Sequence, residues 1–269
     1  MSHPVIYEKN GPIAVITLNR PAARNALTPE MLCRLADAFV DFRDDAQLRV
    51  AILTGAGDLA FCAGGDLGST LPLMTGARAP ADDWDRRVLD EPQVMAASSL
   101  RDFPLHKPVI AAVNGTCLAA GFELLLGTDI RIAADHSQFG LPEVQRALIP
   151  FAGSLARLPR QIAQAHAMEI LLTGRPVDAQ RALQIGLLNH VLPASDVLPK
   201  ALEIARQIAG NGPLAVQQVK QTVFAASGQP LHIGFELEND SKRRVLASRD
   251  AREGPLAFME KRPPRFTGQ

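Results

Sequence analysis

Two carboxylates, Glu123 and Glu143, have the residue type and spacing to carry out chemistry together. Glu123 interrupts an apolar run in LAAGFELLLGTD at 118–129, and a buried carboxylate is costly unless it is paired, hydrogen-bonded or used. Glu143 follows in GLPEVQ, after a turn marked by Gly140 and Pro142. Two carboxylates facing one cavity can position a water and transfer a proton. Spacing alone also allows a first-turn helix acid at Glu123 and a surface loop acid at Glu143.

Two glycine-containing turns each follow a predicted strand and could hold an anionic oxygen. The first lies in AFCAGGDL at 60–67, and the second in VNGTCLAAGF at 113–122. Their small residues would let a ligand approach the backbone closely. A helix predicted to begin near 119–120 leaves N–H groups without partners, and two converging N–H groups would form an oxyanion hole. Taken alone, each segment is explained at least as well by a tight turn.

Other motifs of known chemical use are absent or incomplete. GAG at 55–57 lacks the third glycine of a dinucleotide fingerprint, and no phosphate-binding GxxxxGK[ST] occurs. Ser154, in FAGSLAR, does not lie in the G-x-S-x-G pattern of serine hydrolases. The six histidines have no metal-ligand spacing. These observations disfavour nucleotide, serine-hydrolase and metal chemistry.

Composition indicates an ordinary globular protein. The 269 residues are 47% hydrophobic and 21% charged, with a formal net charge of zero. Neutrality argues against nucleic acid or an anionic membrane as the main partner. We find neither a signal peptide nor an apolar run long enough to span a membrane, and we expect a cytoplasmic location. Three scattered cysteines, Cys33, Cys62 and Cys117, are predicted to be buried small hydrophobes in a reducing compartment.

The elements that must position these residues follow an alternating order of strand and helix. Strands are predicted at Ile13–Leu18, Val50–Thr54, Val109–Val113 and Ile130–Ala133. Between the first two, Thr28 and Pro29 are typical of a helix start, followed by apolar residues at helical period. Short connections between strand and helix indicate an α/β class.

Two regions depart from this alternation. Residues 67–105 begin with glycine, proline and mixed charge and end helically, which is typical of a lid, a binding loop or a disordered insert. Trp84 lies within this segment and either fixes it to the body or contacts a substrate. From about Val191 onward the pattern is helical, with no strand signal, so we predict a core at 1–195 and a helical region at 196–269.

Ordered motifs along nearly the whole chain resemble the crotonase superfamily, and within it the enoyl-CoA hydratases. The motifs are NRPAARNAL, AFCAGGDL, KPVIAAVNG, AAGFELLLGTDIRIAA, FGLPE, LLTGRPVDAQRALQIGLLNHVLP and EGPLAFMEKRPPRF. The resemblance implies a β-β-α superhelix core and a C-terminal helical oligomerisation region. It also implies a homo-trimer or a hexamer built from two trimers.

The resemblance also implies a role for each matching residue. The N–H groups of Gly65 and Ala120 would hold a thioester oxygen, and Glu123 and Glu143 would be the two catalytic glutamates. Coenzyme A and the acyl group would contact Arg24, Ala26, Leu27, Ala63, Asp66 and Leu67. Phe258 and Lys261 would approach coenzyme A from a neighbouring subunit.

Retention of both glutamates favours syn addition of water to a 2-enoyl-CoA thioester, giving a 3-hydroxyacyl-CoA. Glu143 is then preferred as the proton donor and Glu123 as the group that orients the water. No metal or redox cofactor is expected, and coenzyme A is part of the substrate. The alternatives are an isomerase, a dehydratase of a carnitine-like or aromatic acyl-CoA, and a non-catalytic member that binds acyl-CoA or RNA.

Three departures from the family pattern suggest a specialised acyl group. Ala22 stands where many hydratases have lysine, and Arg24 nearby would replace it as a phosphate contact. Ala120 stands where glycine is common, so its methyl group narrows the pocket. Phe151 follows Pro150 where a small residue often lies near the attacking water.

Overall fold

Ten strands form two sheets in the computed structural model, which describes residues 3–269. The strands are β1 (Val5–Asn10), β2 (Ile13–Leu18), β3 (Val50–Gly55), β4 (Ala60–Cys62), β5 (Val109–Val113), β6 (Thr116–Leu118), β7 (Ile130–Ala134), β8 (Gln138–Gly140), β9 (Val177–Asp178) and β10 (His190–Leu192). The four predicted strands are confirmed, two of them extended by one residue. The three-residue strands β4, β6 and β8 were not predicted.

The two sheets are built by a repeated pair of strands. One sheet has the order β1-β2-β3-β5-β7-β10 and the other the order β4-β6-β8-β9. Three times in succession, a longer strand joins the six-stranded sheet and the short strand that follows it joins the four-stranded sheet. The three pairs are β3 with β4, β5 with β6, and β7 with β8. Apart from β1 with β2 and β8 with β9, neighbouring strands are parallel. This is the predicted β-β-α superhelix.

Twelve α-helices complete the described part of the chain. They are α1 (Pro29–Asp44), α2 (Thr70–Met74), α3 (Asp83–Asp90), α4 (Pro92–Ser98), α5 (Ala120–Leu125), α6 (Ser154–Gln161), α7 (Gln164–Thr173), α8 (Ala179–Gln184), α9 (Ala194–Gly210), α10 (Pro213–Ala226), α11 (Leu231–Leu246) and α12 (Asp250–Met259). The start predicted for α1 is confirmed, because Thr28 Oγ1 accepts a hydrogen bond from the Met31 N–H and Pro29 occupies the first helical position.

Helices cover both faces of the six-stranded sheet, which explains why its central strands are apolar at successive positions. On one face, Ile52, Ile110 and Ile132 pack against α9 through small residues at four-residue spacing, namely Val197, Ala201, Ala205 and Ala209. The opposite face belongs to the main core, which includes Phe39 and Phe42 of α1. The three cysteines are unpaired and buried, as predicted.

The segment 67–105 is an ordered wall made of α2, α3 and α4. Its connection between α2 and α3 is held by Asp85, which is buried and accepts two hydrogen bonds from Arg78, at 2.5 and 2.7 Å. These bonds lower the pKa of Asp85 to about 2. Trp84 packs against the core beneath Arg34 of α1, with 5.0 Å between the guanidinium carbon and the ring centre. Trp84 thus fixes the segment to the body.

An ion pair and several hydrogen bonds join the C-terminal helices to the core. Lys220 of α10 donates to the Asp129 carboxylate at 2.7 Å, and the same oxygen accepts from the Val109 N–H. Arg49 donates to the carbonyl oxygens of Ala209 and Phe266.

The strand β10 departs from the all-helical pattern expected after Val191, because His190–Leu192 pairs with β7 at the sheet edge. The boundary at 195 stays a prediction. Within residues 3–269, no helix is both long enough and apolar enough to cross a membrane.

Candidate active site

The first glycine turn, after β4, lies against the segment that precedes α1. The Leu27 N–H donates to the Gly64 carbonyl at 2.8 Å, and the Asp66 N–H donates to the Leu27 carbonyl at 2.9 Å. Gly64 has a φ of +106°, a conformation that side chains rarely adopt, and a Cβ there would lie 2.6 Å from the Ala119 Cβ. Gly64 is therefore required by the turn and by its contact with the second turn.

The second glycine turn, which opens α5, packs directly on β4. Ala119 has a φ of +51°, and a Cβ at Gly121 would lie 2.6 Å from the Cys62 carbonyl oxygen. The glycines at 64 and 121 therefore permit close contact between the two turns and β4, and the expectation that small residues here admit a ligand stays a prediction. Gly65 differs, because a Cβ there would meet only Thr70 Cγ2, at 4.0 Å.

Gly65 and Ala120, whose backbone N–H groups are the predicted oxyanion donors, both line one cavity. Within residues 3–269, neither N–H has a protein acceptor. The turns that carry them touch, since the Cβ position of Gly64 is 3.5 Å from the Ala120 nitrogen. The arrangement is suited to holding a negatively charged oxygen, and the thioester oxygen assigned to it stays a prediction.

Glu123 is a buried carboxylate held by one of its two oxygens. Its side chain is on α5, one turn after Ala120, and only 2% of the residue is exposed. Oε1 accepts hydrogen bonds from the Ala152 N–H at 2.8 Å, the Ser154 N–H at 3.1 Å and the Ser154 hydroxyl at 2.9 Å. Burial raises the pKa of Glu123, and these hydrogen bonds oppose the rise because they favour the ionised form.

Glu143 lines the same cavity in a contrasting environment. It belongs to a 3₁₀ turn, Pro142–Arg146, and among the described residues its buried Oε2 has no hydrogen-bond partner. Burial, reinforced by the nearby charge of Glu123, raises the pKa of Glu143 to about 7. Glu143 therefore keeps a substantial protonated fraction near neutral pH, while Glu123 has the donors that stabilise an anion.

The rest of the cavity wall is mainly apolar. Its side chains come from α1 and the segment before it, from β6, from α2 and the loop before it, from α4, and from the loop before α6. Among them are Leu27, Leu32, Leu67, Leu71, Met74, Met95, Leu118, Leu148 and Phe151. The charged residues on this wall are Glu123, Glu143 and Arg146. The segment 67–105 thus forms one side of the site, whereas Trp84 does not line it.

The predicted coenzyme A contacts divide into two groups. Leu27, Ala63 and Leu67 line the cavity, whereas Arg24, Ala26 and Asp66 do not. Asp66 instead accepts hydrogen bonds from the Ser69 N–H and hydroxyl, both at 2.9 Å, and pairs with Arg20 at 2.5 Å. These contacts hold the start of α2, so they give Asp66 a structural role in this wall.

Phe258 and Lys261 lie apart from the cavity, at the end of α12. Phe258 is 85% exposed, and Lys261 lies just beyond the helix, after Glu260, with a φ of +54°. Neither side chain lines the cavity. Their approach to coenzyme A in a neighbouring subunit stays a prediction.

Two residues that hold the site were missed from sequence. Asn25 is fully buried, accepts from the Arg20 N–H and donates to the carbonyl oxygens of Ala56 and Ala60, which fixes the segment before α1. Ser154 was considered only as a hydrolase nucleophile, although its hydroxyl holds Glu123 from 31 residues away.

Among residues 3–269, no group of three or more potential ligand side chains is placed to hold a metal ion. The expectation that no cofactor is needed stays a prediction.

Comparisons with known proteins agree with this geometry. Residues 8–269 match the model of a family described as "Enoyl-CoA hydratase/isomerase". The chain is 41% identical over 261 residues to "Enoyl-CoA hydratase EchA19" of Mycobacterium tuberculosis, covering 97% of this chain and 95% of that protein. It is 40% identical over 273 residues to "Carnitinyl-CoA dehydratase" of Proteus mirabilis, covering all of both. A crystal structure of an enoyl-CoA hydratase from Mycobacterium tuberculosis H37Rv superposes with a TM-score of 0.89 at 39% identity, covering all of both chains.

Proposed function

Because the chain belongs to the enoyl-CoA hydratase/isomerase family, and is thus an enzyme of the crotonase group, we propose that it adds water to the 2,3 double bond of a 2-enoyl-CoA thioester. The product is a 3-hydroxyacyl-CoA. The observation that carries this proposal is the pair of glutamates on one cavity wall: Oε1 of Glu123 accepts three hydrogen bonds, whereas the buried Oε2 of Glu143 has no partner among the described residues. Gly65 and Ala120 line the same cavity, and neither backbone N–H has an acceptor among the described residues, which supports the proposal.

The proposed reaction uses each group according to its environment. The N–H groups of Gly65 and Ala120 stabilise the charge that develops on the thioester oxygen. Glu123, ionised, accepts a proton from the water whose oxygen bonds to C3, and Glu143, protonated, gives its proton to C2. The proton gained by Glu123 then returns to Glu143 through solvent before the next turnover. The location of both carboxylates on one cavity supports addition to a single face of the double bond.

The cavity supports an uncharged acyl group as the preferred substrate. Its wall is formed mainly by leucine, methionine and other apolar side chains, which favour an apolar chain through burial. A cation placed there would need carboxylates or several aromatic faces to replace its hydration. Among the described residues on this wall, Phe151 is the one aromatic side chain, and both carboxylates are assigned to the reaction.

A second candidate is dehydration of a 3-hydroxyacyl-CoA that carries a cationic group. The observation in its favour is the similarity, over the full length of both chains, to proteins named carnitinyl-CoA dehydratase. The same two glutamates could run the reaction in reverse, since hydration and dehydration share one transition state. The apolar wall makes this candidate the weaker of the two.

The test is a panel of acyl-CoA esters followed by the absorbance of the conjugated enoyl thioester. We expect the absorbance to fall with uncharged 2-enoyl-CoAs. We also expect kcat/KM to exceed that of the trimethylammonium-bearing crotonobetainyl-CoA by at least about tenfold. Exclusive turnover of the cationic ester would establish the second candidate instead. Tight binding of every ester without hydration would overturn the proposed activity.

A further inference from the structure

We propose that Ser154 is a positioning residue, whose hydroxyl fixes Oε1 of Glu123 and thereby reserves Oε2 for the reacting water. Ser154 is fully buried at the start of α6, and its Oγ lies 2.9 Å from Oε1. The inference rests on the proposed function for its kinetic consequence, but the contact itself can be measured without substrate.

The loop before α6 is shaped to bring three donors to one oxygen. Gly153 has a φ of +116°, which reverses the chain between Ala152 and Ser154 so that both N–H groups point to Oε1. The Ser154 hydroxyl adds a third donor from the same residue. A carboxylate oxygen that accepts three hydrogen bonds cannot rotate away without losing all of them, so the orientation of Glu123 is set by this loop.

The Ser154 hydroxyl also favours a negative charge on Glu123 rather than on Glu143. Donors to a carboxylate favour its ionised form, and Glu123 has three while Glu143 Oε2 has no partner among the described residues. The charged groups that face Glu123 from other elements are Glu143, on the 3₁₀ turn, and Arg157, on α6. Arg157 is itself bound to the carbonyl oxygens of Ser99 and Leu100. The Ser154 hydroxyl therefore adds to the two backbone N–H groups in favouring the ionised form of Glu123.

The test compares Ser154→Ala and Ser154→Thr with a matched control, Ser137→Ala. Ser137 is also fully buried, but its hydroxyl faces the Val113 carbonyl outside the cavity. Ser154→Ala should lower kcat by about tenfold, leave KM within about twofold, and move the acidic limb of the pH profile to higher pH. Ser154→Thr retains a hydroxyl and should restore the wild-type profile, and Ser137→Ala should leave it unmoved.

A readout without turnover separates this inference from the proposed function. Carboxyl ¹³C NMR of glutamate-labelled protein follows the titration of Glu123, with Glu123→Gln assigning its signal. We expect the pKa of Glu123 to rise in folded Ser154→Ala relative to wild type. An unchanged titration would overturn the role of Ser154, whether or not any enoyl-CoA is hydrated. If the titration shifts and wild type hydrates no ester, the inference stands and the proposed function falls.

Discussion

Glu123 and Glu143 carry the same functional group in two environments, and the difference decides what each can do. Glu123 has donors on one oxygen, whereas Glu143 Oε2 is buried without a partner among the described residues. Hydration needs one acid and one base at the same pH, and a pair with separated proton affinities supplies both. The two side chains therefore differ in the proton affinity that each brings to the reaction.

The first prediction concerns activity and pH. Glu143 must be protonated to give its proton to C2, and its pKa is raised to about 7 by burial. The hydration rate should therefore fall as pH rises through about 7, because the protonated fraction of Glu143 falls. A pH profile of kcat for hydration of crotonyl-CoA measures this limb. A hydration rate that stays level from pH 6 to pH 9, roughly two pH units above the pKa of Glu143, would show that Glu143 is not the acid.

The second prediction concerns stability and pH at the same residue. A folded-state pKa of about 7, above the ordinary 4.5, means that the native state holds the proton more tightly than the unfolded chain. Glu143 therefore lowers stability progressively as pH rises from 4.5 to about 7. Glu143→Gln lacks this loss, so its Tm should exceed that of wild type by an amount that grows over this window and then levels off. Parallel Tm curves across the window would contradict the assigned environment.

At the scale of elements, the two glycine turns act as one structure. Their contact explains the small residues at 64 and 121, while Gly65 faces open space. The position of both N–H groups therefore depends on how closely the turn before α5 packs on β4. This contact joins segments more than 50 residues apart in sequence.

The third prediction uses two glycines as a matched pair. Gly121→Ala places a methyl group 2.6 Å from the Cys62 carbonyl and should destabilise the protein by about 1–3 kcal/mol. Gly65→Ala meets only Thr70, at 4.0 Å, and should keep the wild-type Tm while raising KM, because its methyl group enters the cavity. Thermal unfolding and kinetics measure both variants. If Gly121→Ala and Gly65→Ala had the same Tm, close packing of the two turns would not be needed for stability.

How much of the fold could be read from sequence depended on element length. The cap at Thr28 and an apolar stripe over four turns indicated the helix α1. Continuous apolar runs indicated the long strands. The strands β4, β6 and β8 have three residues each, too few to establish a period of two, and they form only because neighbouring turns bring them together.

Site residues that lie in a sequence motif could be predicted. Site residues that are held by a contact between distant segments could not. Both glutamates, Gly65 and Ala120 line one cavity, as their motifs led us to expect, and their roles in the reaction stay predictions. The bond from Ser154 to Glu123 could not be foreseen, because it joins residues 31 positions apart through a loop with no regular pattern. Asp66 was assigned to ligand binding because it lies inside a motif; its hydrogen bonds hold the start of α2, and the ligand contact stays a prediction.

At the scale of the whole molecule, the C-terminal helices present an apolar surface that the core does not cover. Val219 and Val223 lie one turn apart on α10 and are each 65% exposed, and Phe235 of α11 is 55% exposed. Exposed apolar patches of this kind mark interaction surfaces. We propose that they join copies of this chain in the homo-trimer or hexamer that the family resemblance implies.

The fourth prediction follows from this surface. Wild type should sediment as a trimer or hexamer, and Val223→Asp should shift the distribution towards smaller species, because it places a charge in the proposed interface. Since Val223 is exposed in the single chain, the helical content seen by circular dichroism should not change. Analytical ultracentrifugation measures the mass. A monomeric wild type at micromolar concentration would refute the assembly.

The most direct test of hydration by two glutamates compares wild type, Glu123→Gln and Glu143→Gln with an uncharged 2-enoyl-CoA. Loss of the conjugated thioester absorbance reports the rate, and mass spectrometry of the product reports the addition of one water. Glutamine keeps the shape of each side chain but cannot exchange a proton, so each variant should bind the ester and lose roughly 10²–10⁴-fold in kcat. A folded variant of either residue that hydrates the ester at the wild-type rate would contradict the account.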